Sequence, residues 1–282
     1  MRSHRRPIGS IVTRRENGVT PQAYGALMAK RTSYSHGTPS YVDIGSPDPD
    51  ASAAFYSALF GWKVNDLGPE AGNYKMAQIG DDDVAGIGPQ QAPGPPFWTT
   101  YMTVDDADAS AKQVEAAGGT VILPPMDVMD AGRMAVCMDP NGAAFSVWQP
   151  KASIGAYRVN EHGALCWSEL NTRNLASAKK FYSEVFGWAW GGGDDYAEFQ
   201  LDGSTIGGAM PMTPDRFPAE VPEHWLTYFA VDDVHASAAK IKELGGTTMF
   251  EPMDAGENGK FTVAMDPQGA VFAVIQLAQP GT

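Results

Sequence analysis

The chain is poor in the residues that most often hold metals or form covalent intermediates. It has two cysteines and five histidines in 282 residues, and no apolar run is long enough to cross a bilayer. Neither Cys137 nor Cys166 lies in a Cys-x-x-Cys segment or a Cys/His cluster. We interpret both as small core or strand residues and expect a soluble protein of the reducing cytoplasm.

Sequence motifs for acyl or phosphoryl transfer are also missing. No Gly-x-Ser-x-Gly segment and no Cys/His pairing indicates an acyl-transfer nucleophile. The glycine run at 191–193 opens no helix, so it does not predict a phosphate loop. The acidic run at 81–83 fits a solvated turn better than a cation site.

Basic residues are scarce outside the first 37 positions. Residues 1–37 carry seven Lys or Arg and one acid, Glu16, of the 20 basic and 33 acidic residues in the chain. The remainder has 13 basic and 32 acidic residues, a net charge of −19. Because such a body repels phosphate backbones and anionic membranes, we expect neither a nucleic-acid nor a membrane partner. We interpret residues 1–37 as a disordered basic extension, with Met28 as an alternative start.

The chain does contain an internal repeat. Three blocks occur twice, in the same order and with offsets of 126 or 127 residues: 55–62 and 181–188, 98–106 and 225–233, and 138–143 and 265–270. Chance does not hold three blocks in register, so the chain is two copies of one domain. We place the copies at residues 38–150 and 161–277, with an irregular linker at 151–160.

Each copy reads as a strand, a helix and three strands, twice over. In the first copy a strand over 41–45 is followed by Asp48 as a helix cap, Pro49 in the first turn and Gly61 at the helix end. Short strands follow before the pattern restarts. The Asp-Pro-Asn-Gly segment at 139–142 predicts a hairpin turn between the last two strands.

The order of elements, with the Phe-Tyr, Phe-Gly-Trp, Val-Asp-Asp and Asp-Pro-x-Gly blocks, resembles the vicinal oxygen chelate superfamily. That superfamily includes glyoxalases, extradiol dioxygenases, fosfomycin resistance enzymes and bleomycin-binding proteins. The resemblance is nearest to tandem-domain bacterial members labelled glyoxalase-like. It implies an α+β fold of two tandem domains. In each domain, paired βαβββ units curl into a cup-shaped sheet with helices outside and a small-molecule cavity inside.

Enzymes of that superfamily hold a divalent ion through His, Glu or Gln on the first and last strands of each unit. Carried onto this sequence, those positions hold none of these residues: they are Tyr41, Gly86, Thr99 and Ser146 in copy one, and Trp167, Gly208, Leu226 and Ala273 in copy two. The five histidines lie elsewhere, at 4, 36, 162, 224 and 235. We therefore predict no metal site and no cofactor.

Strand residues alternate between faces, so positions two away from the lost ligands also face the cup. The predicted ligand-binding residues are Tyr41, Thr99, Tyr101, Ser146 and Trp148 in cup one, and Trp167, His224 and Tyr228 in cup two. Aromatic rings with a few hydroxyls suit a flat, partly polar organic molecule. The opposite face is apolar and is expected to pack against helices; it includes Val42, Ile44, Trp98, Met102, Val104, Phe145 and Val147.

Asp43 and Glu169 occupy equivalent positions in the two cups. A carboxylate in an apolar cup is expected to have a raised pKa, which a general base requires. Two interpretations stay open. Each carboxylate can act as a base or as an acceptor for a ligand's hydroxyl or ammonium group, or it can be bonded to the backbone or to a tyrosine without a role in function.

These observations leave two functions open. The first is metal-independent binding of a small aromatic metabolite or drug, for sequestration, resistance or an accessory role in a biosynthetic pathway. The second is a glyoxalase-like lyase or isomerase, either with Asp43 or Glu169 as general base or with an unusual metal site. The fold hosts binders and catalysts alike. We expect a homodimer or a pseudo-dimeric monomer and, if one cup alone is functional, the cup with Trp167 and Glu169.

Overall fold

The computed structural model describes residues 30–91 and 93–278. The first copy folds in the order β1 Pro39–Ser46, α1 Pro49–Phe60, β2 Lys63–Asp66, β3 Lys75–Ile79, β4 Asp82–Pro89, β5 Phe97–Thr103, α2 Ala107–Ala116, β6 Thr120–Val128, β7 Gly132–Met138 and β8 Ala144–Pro150. The second continues with β9 Leu165–Thr172, α3 Leu175–Phe186, β10 Ala189–Gly192, β11 Ala197–Leu201, β12 Ser204–Pro211, β13 His224–Ala230, α4 Val234–Glu243, β14 Thr247–Thr248, β15 Met253–Asp254, β16 Gly259–Met265 and β17 Val271–Leu277. Short 3₁₀ turns lie at Pro69–Ala71 and Gly256–Asn258.

Each copy forms a sheet of its own. The first sheet has the strand order β2-β3-β4-β1-β5-β8-β7-β6, and the second has the order β10-β11-β12-β9-β13-β17-β16-β14, with β15 paired to β16. At each sheet centre the first strands of the two βαβββ units pair antiparallel, and each pairs in parallel with the last strand of its own unit. The predicted α+β fold of two tandem domains is therefore confirmed, and each cup forms within one copy.

The helix and turn signals in the sequence act as predicted. The Asp48 side chain accepts a hydrogen bond from the Ala51 N–H at 3.0 Å, Pro49 opens helix α1, and Gly61 ends it at φ 73°. In the hairpin turn, Asp139 accepts three backbone N–H groups at 2.9 Å each, which fixes residues 139–143 between β7 and β8.

The hydrophobic cores are shared between the copies. The apolar backs of the two sheets face each other, and the helices of one copy pack against strands of the other as well as against their own. Phe60 of α1, for example, lies 5.0 Å from Phe229 of β13, and Phe145 of β8 lies 5.7 Å from Tyr182 of α3. The predicted apolar face is buried in these two cores, as expected.

The residues before the first strand lie against the folded body. Tyr34 donates to the Ala156 carbonyl at 2.6 Å, the Gly37 N–H donates to the Thr103 carbonyl at 2.7 Å, and the Trp188 indole donates to the Gly37 carbonyl. Residues 30–37, assigned from sequence to a disordered extension, are instead held by these bonds. Residues 1–29, with Met28, lie outside the described part of the chain. Of the helices in residues 30–91 and 93–278, none is long and apolar enough to cross a membrane.

Candidate functional site

The centre of the first cup is a carboxylate surrounded by hydroxyl groups. Asp43 lies on β1, and its Oδ2 accepts hydrogen bonds from Tyr101 of β5 at 2.9 Å and from Tyr74, just before β3, at 3.0 Å. Thr99, opposite Asp43 on β5, also donates to it. Burial raises the pKa of Asp43 to about 6, although the bonds from Tyr101, Tyr74 and Thr99 favour the charged form.

Tyr41 extends this group of hydroxyls. Its oxygen lies 3.3 Å from the Tyr74 oxygen and 3.2 Å from the Met76 sulfur, and its ring meets the Tyr101 ring edge-on at 5.7 Å between centroids. Three phenols therefore lie together beside Asp43, and two of them donate to it directly.

The predicted residues on the far side of cup one are more tightly packed. Ser146 is fully buried on β8, opposite Tyr101. The Trp148 ring meets the Tyr101 ring at 6.4 Å, and the Trp148 indole donates to the Ser153 carbonyl at 2.9 Å. Trp148 is 9% exposed, so it forms a fixed wall of the cup.

The second cup repeats the arrangement with a longer acid. Glu169 lies on β9 and is 3% exposed; its Oε1 accepts from Tyr228 at 3.2 Å and lies 3.4 Å from the Asn171 amide nitrogen. Tyr196, which precedes β11, also donates to the Glu169 carboxylate. Burial raises the pKa of Glu169 to about 7 against the effect of these three donors.

Trp167 takes the place that Tyr41 has in cup one. Its indole Nε1 donates to the Tyr196 hydroxyl at 2.9 Å. The Tyr196 oxygen therefore accepts from Trp167 and donates to Glu169. The rest of this cup is apolar and includes Leu226, Phe261, Ala273 and Ile275.

His224 lies at the end of cup two, opposite Asn171 on the neighbouring strand. Its Nδ1 is 2.9 Å from the Pro222 carbonyl, and its ring meets Phe217 of the β12–β13 loop at 6.4 Å. Burial lowers the pKa of His224, which keeps the imidazole neutral near pH 7. It borders the cup rather than joining the hydrogen bonds to Glu169.

The strand positions that hold metal ions in the resembled superfamily do not fit a divalent ion here. Gly86 and Gly208 offer no donor, and tyrosines fill the space beside them. A Cβ on Gly86 would lie 1.7 Å from the Tyr74 oxygen, and one on Gly208 would lie 2.1 Å from the Tyr196 oxygen. Among residues 30–91 and 93–278, no three His, Cys, Asp or Glu side chains form a group able to hold a metal ion.

The carboxylate of cup two is closed off from solvent, whereas Asp43 of cup one is partly exposed. Tyr101 is 7% and Tyr228 is 6% exposed, and Glu169 is nearly inaccessible. Two surface depressions lie elsewhere, one beside the β4–β5 loop and one between the copies near His162 and Lys240. A ligand that reaches Glu169 must therefore displace side chains that now cover it.

Sequence reasoning missed three residues that donate hydrogen bonds to the two carboxylates: Tyr74, Tyr196 and Asn171. The tyrosines are equivalent, because β3 and β11 begin one residue after them. Their offset is 122 residues, whereas the conspicuous blocks repeat at 126 or 127, since the β2–β3 loop is longer than the β10–β11 loop. Glycine at both 86 and 208 is the signal that could have revealed them, because each makes room for one tyrosine ring.

A family model described as the Glyoxalase/Bleomycin resistance protein/Dioxygenase superfamily matches residues 38–147 and 164–274. "Putative glyoxylase CFP32" of Mycobacterium bovis is 42% identical over 264 residues, covering 89% of this chain and 99% of that protein. The anthracycline biosynthesis protein DnrV of Streptomyces peucetius is 37% identical over 271 residues, covering 88% and 96%.

Solved structures share the fold at lower sequence identity. The Mn(II)-bound glyoxalase from Novosphingobium aromaticivorans matches with a TM-score of 0.62 and 18% identity, covering 86% of this chain and 83% of that one. The dioxygenase LapB from Pseudomonas sp. KL28 matches with a TM-score of 0.62 and 16% identity, covering 87% and 95%. At such identities the likeness concerns the architecture alone.

Proposed function

Because the chain belongs to the glyoxalase, bleomycin resistance protein and dioxygenase superfamily, we propose that it binds a small aromatic molecule in its cups without a metal ion. The role that fits is sequestration of the molecule or an accessory step in the biosynthesis of an aromatic natural product. A relative whose name places it in anthracycline biosynthesis supports the second of these roles.

The observation that carries this proposal is the pairing of a carboxylate, buried in cup two and half-buried in cup one, with aromatic hydroxyls in both cups. Asp43 is bonded by Tyr74 and Tyr101, and Glu169 by Tyr196 and Tyr228. These groups recognise a ligand by hydrogen bonding and by contact with aromatic rings, neither of which needs a metal. At Gly86 and Gly208, two of the strand positions that hold metal ions in the superfamily, a glycine covered by a tyrosine ring offers no donor to an ion.

The second candidate is a lyase or isomerase, and one observation favours it. The pKa of Glu169 is raised to about 7 and that of Asp43 to about 6, so either carboxylate can accept a proton near neutral pH. As a base, Glu169 would take a proton from a ligand carbon next to a carbonyl. Its side chain must then exchange its bond to Tyr196 or Tyr228 for contact with the ligand.

A thermal-shift series tests the first proposal. Chelator-treated wild-type protein is screened against planar aromatic compounds, with and without Mn²⁺, and hits are titrated by calorimetry. A ligand at 100 times its Kd should raise the free energy of unfolding by about 2.7 kcal/mol. The Asp43→Asn and Glu169→Gln variants should bind more weakly, whereas Glu184→Gln, on the exposed side of α3, should not change.

The same variants separate the two candidates. Turnover of a ketoaldehyde–thiol adduct that disappears in Glu169→Gln or Asp43→Asn while binding persists would favour the enzyme. Stabilisation by aromatic compounds without turnover would favour the binder. Stabilisation that appears only with Mn²⁺ would contradict metal-independent binding.

The same proposal extends to assembly and location. We propose a pseudo-dimeric monomer, because each copy covers the apolar sheet back of the other as a second subunit would. The cytoplasm is the proposed location.

A further inference from the structure

In each cup, one tyrosine lies where a ligand would bind. Tyr74 and Tyr196 each place a phenol ring over a glycine of the neighbouring strand and direct the hydroxyl at the carboxylate of the cup. No other pair of equivalent cup residues in the described chain makes both contacts. The space over the glycine and the carboxylate together form a small phenol-binding site, and the protein's own tyrosine ring fills it.

The Tyr196 oxygen has one hydrogen-bond donor and one acceptor as partners. It accepts from the Trp167 indole at 2.9 Å and donates to Glu169. An indole N–H can only donate, and the Glu169 carboxylate, when ionised above its pKa of about 7, can only accept, so the pair matches an atom that does both. A phenol hydroxyl meets that requirement. A methyl ether has no proton to donate, and a ketone oxygen only accepts.

Both tyrosines lie on loops with local backbone freedom, near the edge of the sheet. Tyr74 follows Gly72 and Asn73, both in the left-handed region at φ 66° and 59°. Tyr196 follows three exposed residues at 193–195 in the β10–β11 turn. Strands β2 and β10 are edge strands, so these loops border solvent and rotation of the tyrosine does not require the sheet core to open.

We propose that Tyr74 and Tyr196 are internal phenol plugs, and that a ligand with its own phenolic hydroxyl displaces the plug and takes over its hydrogen bonds to the carboxylate. This inference rests on the proposed function and names its ligand class, the phenols. The plug accounts for the covered carboxylate of cup two and for the hydroxyls gathered on Asp43 in cup one: the free protein keeps each acid bonded until a ligand supplies an equivalent group. It also sets specificity, because a ligand without a phenol leaves Glu169 one donor short.

The test compares naphthol with methoxynaphthalene, which have similar rings but differ in the hydroxyl proton. Calorimetry is run on wild type, Tyr196→Ala, Tyr74→Ala and the double variant, with Tyr157→Ala, outside both cups, as the matched control. Removing a plug removes the cost of expelling it, so naphthol should bind the single plug variants about tenfold more tightly than wild type. The affinity for methoxynaphthalene should rise much less in the plug variants. The Tyr157→Ala variant should bind naphthol with the wild-type Kd.

A second variant keeps the test decisive if an alanine variant does not fold. Tyr196→Phe retains the ring but loses the hydroxyl that holds it on Glu169, so naphthol should still bind several-fold more tightly than to wild type. A 3-fluorotyrosine at position 196 should show its ¹⁹F resonance moving towards the solvent-exposed shift when naphthol is added. A tyrosine with a purely structural role would stay in place.

The outcomes separate this inference from the proposed function. If the plug variants bind naphthol with the wild-type Kd, the plug is wrong while aromatic binding stands. The same conclusion follows if their affinity for methoxynaphthalene rises as much as their affinity for naphthol. If no variant binds any aromatic compound, the proposed function falls and the plug with it.

Discussion

Tyr182 in helix α3 of the second copy donates a hydrogen bond to Asp139 of the first at 3.1 Å. Asp139 belongs to the hairpin turn between β7 and β8, where it also holds three backbone N–H groups. The same contact occurs with the copies exchanged, since Tyr56 donates to Asp266 at 3.0 Å. Each copy thus fixes the last hairpin of the other with a buried polar bond.

Loss of one of these bonds should weaken the whole chain. Tyr182 also accepts from the Trp225 indole at 3.2 Å. Tyr182→Phe therefore leaves the Trp225 N–H and the Asp139 Oδ2 atom, both buried, without their tyrosine partner. We expect the free energy of unfolding to fall by about 1–3 kcal/mol, measured by urea denaturation. Tyr157→Phe, at the linker surface, serves as control and should change little. An unchanged midpoint in Tyr182→Phe would contradict the role of this bond.

The shared cores predict that the two copies unfold together. Each core contains helices and strands from both copies, so neither sheet keeps its apolar back covered when the other unfolds. Tryptophan fluorescence and far-UV circular dichroism should therefore give coincident urea transitions. Two separate transitions would show that the copies are stable on their own.

The duplication, the helix caps and the hairpin turns could be predicted from the sequence because each depends on local residue patterns. Asp48, Gly61 and Asp139 act in the way that their positions in the sequence indicate. The inward and outward faces of the central strands followed from alternation, which placed Asp43 and Glu169 in the cups.

The pairing of the two copies could not be predicted in the same way. An apolar face such as that of Phe145 is satisfied by any apolar partner, so its burial against Tyr182 depends on the assembled fold. Tyr74 and Tyr196 escaped notice because they reach the cups from loops of different length. Their hydrogen bonds to Asp43 and Glu169 are long-range contacts that no local pattern specifies.

A methyl group on Gly208 should collide with the Tyr196 plug. Its Cβ would lie 2.1 Å from the Tyr196 oxygen, so Gly208→Ala should lower the free energy of unfolding by about 1–3 kcal/mol. The cost should shrink in a Tyr196→Ala background, which a double-mutant cycle measures. Gly193→Ala is the control, because a Cβ there meets nothing within 4 Å. If Gly208→Ala lowers the free energy of unfolding equally in wild type and in Tyr196→Ala, the Tyr196 ring does not clash with the added methyl group.

The buried Glu169 should make stability depend on pH in a defined direction. Its pKa is raised from 4.5 to about 7, so between these values the folded chain holds a proton that the unfolded chain has released. Stability therefore falls as pH rises from about 4.5 to 7, by up to about 3 kcal/mol, and this contribution is constant above that range.

Glu169→Gln removes this dependence because the amide stays neutral. Denaturation at pH 5 and pH 8 gives the free energy of unfolding of wild type and variant. The free energy of the variant should rise relative to that of wild type at the higher pH. Glu184→Gln controls for the loss of an exposed acid. If the difference between wild type and Glu169→Gln is the same at both pH values, Glu169 is not titrating in this range.

The most direct test of metal-independent aromatic binding is a calorimetric titration of chelator-treated protein with naphthol, repeated after addition of Mn²⁺. We predict binding with the same Kd in both titrations and a weaker Kd in Glu169→Gln or Asp43→Asn. Binding that is absent after chelation and restored by Mn²⁺ would contradict the account.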